Sequence, residues 1–193
     1  MCPSKIICVG RNYVEHIREL GNGVPDEMVV FLKPNSAISR ELHCVHEEPL
    51  HYEAEICFIV EKSTFAAVGF GLDVTKRALQ RRLKSKGLPW ERAKAFDGSA
   101  VFSDFVRLPE RLSELSVELD INGINVQCGG TDSMLYKPDA IRVELLTFLS
   151  LNDGDIVMTG TPKGVGRIKA GDEFSGKIKA GDTELVAGRW IAK

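Results

Sequence analysis

The apolar residues of this chain fall in short runs of strand character, and two of those runs are joined to acids. Ile56-Cys57-Phe58-Ile59-Val60 follows directly on His51-Tyr52-Glu53-Ala54-Glu55, and the run over residues 65–72 leads into Asp73. Runs without polar alternation predict strands covered on both faces. Further strands are expected over residues 5–9, broken at Gly10, and over 29–32, stopped by Lys33-Pro34. Residues 116–121 and 124–128 flank Asn122-Gly123, a strong two-residue hairpin signal. Residues 155–158, 174–178 and 184–191 complete the strands, the last two separated by Gly181-Asp182.

Helical patterning is sparser. Residues 11–20 predict a short helix with Asn12 as its N-cap and Gly21 as its stop. Residues 74–86 place apolar side chains at 74, 78, 79 and 83 among five basic ones from Lys76 to Lys84, which predicts a solvated amphipathic helix. Pro138 suits the first turn of a helix reaching about residue 149, with Ile141, Leu145, Phe148 and Leu149 on one side. The class expected is α+β, mostly β, with the whole chain (1–193) as a single domain, since no repeat, linker or low-complexity tract interrupts it.

Composition narrows the function classes. A net charge of −2 and the absence of aromatic platforms beside the basic residues argue against a nucleic-acid partner. No apolar run approaches the roughly 20 residues that span a bilayer, and the N-terminal residues do not read as a signal peptide. Cys2, Cys8, Cys44, Cys57 and Cys128 are scattered, odd in number and form no C-x-x-C pair, so a reducing, cytoplasmic location is expected.

The chemistry concentrates at the acids. Side chains two apart on a strand share a face, so Glu53 and Glu55 point the same way, and desolvation adds to their repulsion. A hard divalent cation, with Asp73 as third oxygen ligand, would relieve both. Carboxylate-only ligation suits Mg²⁺ or Mn²⁺, with Ca²⁺ also compatible, and argues against Zn²⁺. The plainer alternative is a strand end whose acids meet Lys or Arg. His16 and Glu19 are three apart on the first helix and so can form a base with its orienting carboxylate, or an ordinary surface contact. His43, Cys44 and His46 match no standard zinc spacing. Lys94, between small and aromatic residues, is either partly buried near an anion or exposed. The glycine-rich loop over residues 159–166 lacks both nucleotide-binding fingerprints, which leaves a backbone-lined anion or carboxylate pocket. Gly21-Asn22-Gly23-Val24-Pro25-Asp26 is turn-rich and suits a hinge, making residues 13–26 a candidate lid.

Six stretches, in order, resemble the fumarylacetoacetate hydrolase family in its short acylpyruvate hydrolase and oxaloacetate decarboxylase branch. They are Gly10-Arg11-Asn12-Tyr13 with His16 and Glu19; Phe31-Leu32-Lys33-Pro34; His51-Tyr52-Glu53-Ala54-Glu55; Leu72-Asp73-Val74-Thr75; Gly87-Leu88-Pro89-Trp90 leading to Lys94; and Thr159-Gly160-Thr161-Pro162-Lys163-Gly164-Val165-Gly166. The resemblance implies a mixed β-sandwich or roll with short helices, assembled as a homodimer, with Mg²⁺ or Mn²⁺ on Glu53, Glu55 and Asp73. It implies His16 and Glu19 as a catalytic dyad on the lid, Lys94 as the active-site lysine, and Arg11, Gln80 and Thr161 as substrate contacts. Two departures stand out: the segment between Glu55 and Asp73 is short for the family, and position 78 is Ala, followed by Leu79-Gln80.

The function expected from this resemblance is metal-dependent cleavage of a carbon–carbon bond in acylpyruvate-type 2,4-dioxo acids. The alternatives on the same site are oxaloacetate decarboxylation or tautomerisation, or isomerisation of a hydroxyhepta-dienedioate. The partner is then a small 2-oxo acid. A non-catalytic binding module and a zinc hydrolase using His43, His46 or His51 are the weaker rivals.

Overall fold

The computed structural model describes residues 3–19, 21, 23–109 and 112–193. Its centre is a mixed seven-stranded sheet in the order Val29–Pro34, Lys5–Gly10, Ile156–Met158, Ala54–Glu61, Thr64–Asp73, Ala100–Arg107 and Ile38–Ser39. Lys5–Gly10 runs parallel to Ile156–Met158, and Ile38–Ser39 parallel to Ala100–Arg107; the other pairs are antiparallel. A second, antiparallel sheet has the order Ile124–Gly130, Leu115–Ile121, Glu173–Ala180 and Thr183–Ile191.

The missing alternation has a direct cause. Ile56, Phe58 and Val60 join the core between the two sheets, where Val117, Leu119, Phe174 and Ile178 meet them. Cys57 and Ile59 face the other way, into a second apolar layer with Ile6, Cys8 and Met158. A residue whose neighbours on both faces are buried has no polar side to show. Glu55 shares the parity of Cys57 and so belongs to the face away from the inter-sheet core.

The short segment between Glu55 and Asp73 is a tight hairpin. Ala54–Glu61 and Thr64–Asp73 pair directly, and Lys62 and Ser63 turn the chain with φ of 51° and 58°. Both central residues in the left-handed region give the turn whose twist matches the strands. The hairpin over Asn122-Gly123 forms as expected, with φ of 52° and 78°.

Three helical expectations need correction. The first helix spans Val14–Glu19; Leu20, and Asn22 of the hinge loop, lie outside the described residues, as does Cys2. Asn12 does not cap it: the Asn12 amide donates to the Tyr136 and Thr159 carbonyls and accepts from the Tyr136 N–H, tying three segments together. The basic helix spans Arg77–Ser85, and Arg77, Gln80 and Leu83 on it are buried, so one basic side chain points inward. The last helix, Pro138–Leu145, begins on proline as expected but stops early, and Phe148 is 58% exposed. A short helix over Glu91–Lys94 had no signal in the sequence pattern. Among the described residues, no helix is long and apolar enough to cross a membrane.

Candidate metal centre and active site

The hairpin sets the acids. The Asp73 N–H donates to the Glu53 carbonyl at 2.9 Å, holding the two strand ends side by side. From there the carboxylates of Glu53, Glu55 and Asp73 converge, all buried, with one oxygen of each within 4.8 Å of the others. Among the described residues this is the only such group of potential ligands; His43, Cys44 and His46 form none.

Cations surround this cluster. Lys94 is 2% exposed, and its Nζ donates to Glu53 Oε2 (2.9 Å), Asp73 Oδ2 (2.6 Å) and Thr75 Oγ1 (2.6 Å). The Glu91–Lys94 helix delivers it, and Lys33 fixes the end of that helix by donating to the Lys94 and Ser99 carbonyls. Lys33 Nζ also lies 2.8 Å from Asp73 Oδ1, as an ion pair without hydrogen-bond geometry, and that buried oxygen accepts no hydrogen bond. Arg77 donates to Glu53 Oε1 and to Gln80 Oε1. Of the two expectations for Lys94, burial beside acids is the one observed.

The electrostatics divide the acids. Burial alone would raise the pKa of Glu53, but Lys94 and Arg77 outweigh it and hold the carboxyl well below the usual range. Glu55 goes the other way: burial, then Asp73 and Glu53, push it up, with only the Gly160 N–H and Lys94 opposing. Burial would lower Lys94, and Asp73 with Glu53 reverse this and raise it. These oxygens fit a hard divalent cation: the donor set is all carboxylate, Asp73 Oδ1 is buried and unbonded, and Glu55 lacks a strong positive partner.

The glycine-rich loop binds carboxylates, and they are the chain's own. The Gly160 N–H donates to Glu55 Oε2 at 2.7 Å, and the Gly164 N–H donates to the Glu19 carboxylate at 3.0 Å. Gly160 has a φ of +98°, and a Cβ there would lie 2.8 Å from Asn12 Cβ and 3.0 Å from the Val9 carbonyl oxygen. Gly160→Ala is therefore expected to lower the melting temperature and weaken divalent-ion binding together, because it displaces the donor that aims Glu55. An unchanged Mg²⁺ affinity, read by calorimetry, would show that Glu55 needs no such aiming.

Across the cluster, His16 is buried and its Nδ1 lies 3.1 Å from Glu19 Oε2. A cavity of about 40 Å³ is lined by Arg11, His16, the three acids, Gln80, Lys94 and Thr161; Glu19 stands behind His16. Of the nine residues expected at the metal and substrate site, eight line this cavity and Glu19 contacts His16 from behind. Thr161 is held there by Gln127, whose Nε2 donates to its hydroxyl at 2.9 Å. The sequence reading missed Arg77, Lys33 and Lys84. The i, i+3 spacing of Arg77 with Gln80 was the one available signal.

The mixed β fold thus brings a buried carboxylate cluster that could hold a metal ion, and a histidine–carboxylate pair, to one small cavity. The chain belongs to the fumarylacetoacetate hydrolase family: the family described as Fumarylacetoacetate (FAA) hydrolase C-terminal matches residues 5–187. Oxaloacetate tautomerase YcgM of Escherichia coli is 35% identical over 195 residues, covering 89% of this chain and 87% of its own. The mitochondrial oxaloacetate tautomerase of Bos taurus is 38% identical over 191 residues, covering 90% and 86%. The structure of fumarylpyruvate hydrolase from Pseudomonas aeruginosa in complex with Mn²⁺ and pyruvate superposes with a TM-score of 0.87 at 29% identity, covering 99% of this chain and 91% of that one.

Proposed function

We propose that the protein interconverts the keto and enol forms of oxaloacetate, or of a close 2-oxo acid, with Mg²⁺ or Mn²⁺ on Glu53, Glu55 and Asp73. The observation that carries this reading is the meeting, in one small cavity, of the His16–Glu19 pair with the lysine-braced acid cluster. The curated relatives named for oxaloacetate tautomerisation support the choice of substrate.

A divalent cation on these carboxylates would supply Lewis-acid polarisation of the 2-oxo group. The chain's own groups supply the rest. With its Nδ1–H donating to Glu19, neutral His16 keeps the Nε2 lone pair free as a base. His16 Nε2 removes a proton from C3, the C–H electron pair becomes the C=C bond, and the 2-oxo oxygen gains the negative charge. The Lys94 ammonium, buried beside the acids, stabilises that oxygen. The same proton, returned from His16 to the oxygen, completes the enol. Gln80 and Thr161 orient the acid, and Arg11 stands at the wall.

A cavity of about 40 Å³ admits an ion or a water but not a four-carbon diacid. Entry therefore requires a wall to move. Residues 13–26 are the proposed lid, latched by Gly164 to Glu19 and by Lys163 to Glu15. The reading also carries over the homodimer, which light scattering checks, and a reducing, cytoplasmic setting, consistent with free Cys8, Cys44, Cys57 and Cys128.

A second reading is hydrolysis of an acylpyruvate, with His16 activating water for attack on the distal carbonyl; the similarity to a fumarylpyruvate hydrolase favours it. One set of assays separates them. Wild-type protein with Mg²⁺ is expected to accelerate oxaloacetate tautomerisation and lose this with chelator, and its kcat/KM there should exceed that for acetylpyruvate cleavage. The reverse order would install the hydrolase reading. His16→Ala should cost tautomerisation about 10²–10⁴-fold. Oxaloacetate decarboxylation, which needs no base, should fall less. Equal losses would make His16 a positioning residue.

A further inference from the structure

The Arg77–Ser85 helix carries Arg77, Gln80 and Lys84 at i, i+3 and i+7, which sets them along one stripe, and all three line the cavity. Arg77 is engaged with Glu53 and Gln80. Lys84, two turns along, places its ammonium 5.5 Å from the centroid of the Trp90 ring, at the cavity wall. Partial burial, then Arg11 and Arg77, push its pKa down, with Glu53 opposing.

Arg11 lines the same cavity. Its φ of 55° is rare outside glycine and marks a backbone held in place by its surroundings. Its Nε is buried and has no hydrogen-bond partner. Four basic side chains (Arg11, Arg77, Lys84 and Lys94) face three acidic ones in the lining, and a divalent ion on the acids enlarges that positive surplus. A 2-oxo monoacid brings one carboxylate to this lining, whereas a 2-oxo diacid brings two.

We infer that Arg11 and Lys84 form a subsite for the far carboxylate of the substrate, with Lys84 the residue that selects 2-oxo dicarboxylates over 2-oxo monocarboxylates. This rests on the reaction proposed above, at the same site. The unbonded Arg11 Nε and the Lys84 ammonium supply the donors. The aromatic face of Trp90 holds the Lys84 stem in the reach of the cavity.

The test compares two ligands on Mg²⁺-loaded protein by calorimetry. Oxalate occupies only the chelating end. Difluorooxaloacetate keeps the far carboxylate and, having no hydrogen at C3, cannot enolise. Lys84→Met retains the aliphatic packing on Trp90 and should weaken difluorooxaloacetate about 10- to 100-fold, as for loss of a charge-assisted hydrogen bond. Oxalate should change much less, and Lys84→Arg should restore the preference. Arg11→Asn, which tolerates the positive φ, should act in the same direction. Equal weakening of both ligands, or no change in either, overturns the inference. Failure of the wild type to interconvert oxaloacetate tautomers would overturn the reaction instead, and leaves this binding comparison intact.

Discussion

In chelated protein, Glu53→Gln should lower the melting temperature and Glu55→Gln should raise it, although both should abolish stabilisation by Mg²⁺. The two acids stand two residues apart and differ in their partners. Glu53 is depressed because Lys94 and Arg77 outweigh its burial, so its contribution to stability is present above the unfolded carboxyl value and is lost as pH falls through the lower folded one. At neutral pH, substitution removes that contribution and leaves buried cations short of a counter-charge. Breaking a buried pair costs about 3–5 kcal/mol, and an amide oxygen that still accepts one bond keeps the loss near the lower end. For a chain of this size that is a fall of roughly 6–12 °C.

Glu55 has the opposite sign. Its folded value is raised by burial, Asp73 and Glu53, so its contribution is present below the unfolded value and is lost as pH rises through the folded one. At neutral pH its ionised form opposes folding, and Gln relieves this while still accepting the Gly160 N–H. Such a trade, lower stability in exchange for a site that an ion then satisfies, is what a functional cluster is expected to show. Melting curves in chelator and in saturating Mg²⁺ read both effects. The same sign for both variants in chelator would contradict this account of the cluster.

Lys94→Met should divide binding from chemistry. Lys94 donates to Glu53 and Asp73 from within the cluster, so it repels any cation that the acids hold. Its removal should tighten Mg²⁺ binding while kcat falls about 10²–10³-fold, the usual cost of losing one oxyanion-stabilising donor. Titration of Mg²⁺ and steady-state rates at saturating metal measure the two separately. Weaker Mg²⁺ binding with an unchanged kcat would make Lys94 structural.

Much of this site was legible because the chain presents it locally. The acids sit at the ends of apolar strands, and strand parity alone aims Glu53 and Glu55 together. The turn joining Ala54–Glu61 to Thr64–Asp73 was hidden, because Lys62 and Ser63 carry none of the glycine or asparagine that usually announces two positive φ values. Lys33 was passed over, and Arg77 misread as solvated, for a different reason. Basic residues default to the surface, and only the assembled hairpin creates the buried negative charge that draws them inward. Asn12 was misread as a cap because its partners, Tyr136 and Thr159, lie more than a hundred residues away. Phe148 carries the helical spacing of Ile141 and Leu145, but the helix ends at Leu145, and spacing beyond a helix end says nothing about burial.

In the proposed reaction Glu53, Glu55 and Asp73 hold one divalent cation, and turnover depends on it. The test is calorimetric titration of Mn²⁺ into chelator-treated, dialysed protein. A single site per chain is expected in the wild type and none in Asp73→Asn, with the circular dichroism of the two proteins alike. A full-strength Mn²⁺ site surviving in well-folded Asp73→Asn would contradict it.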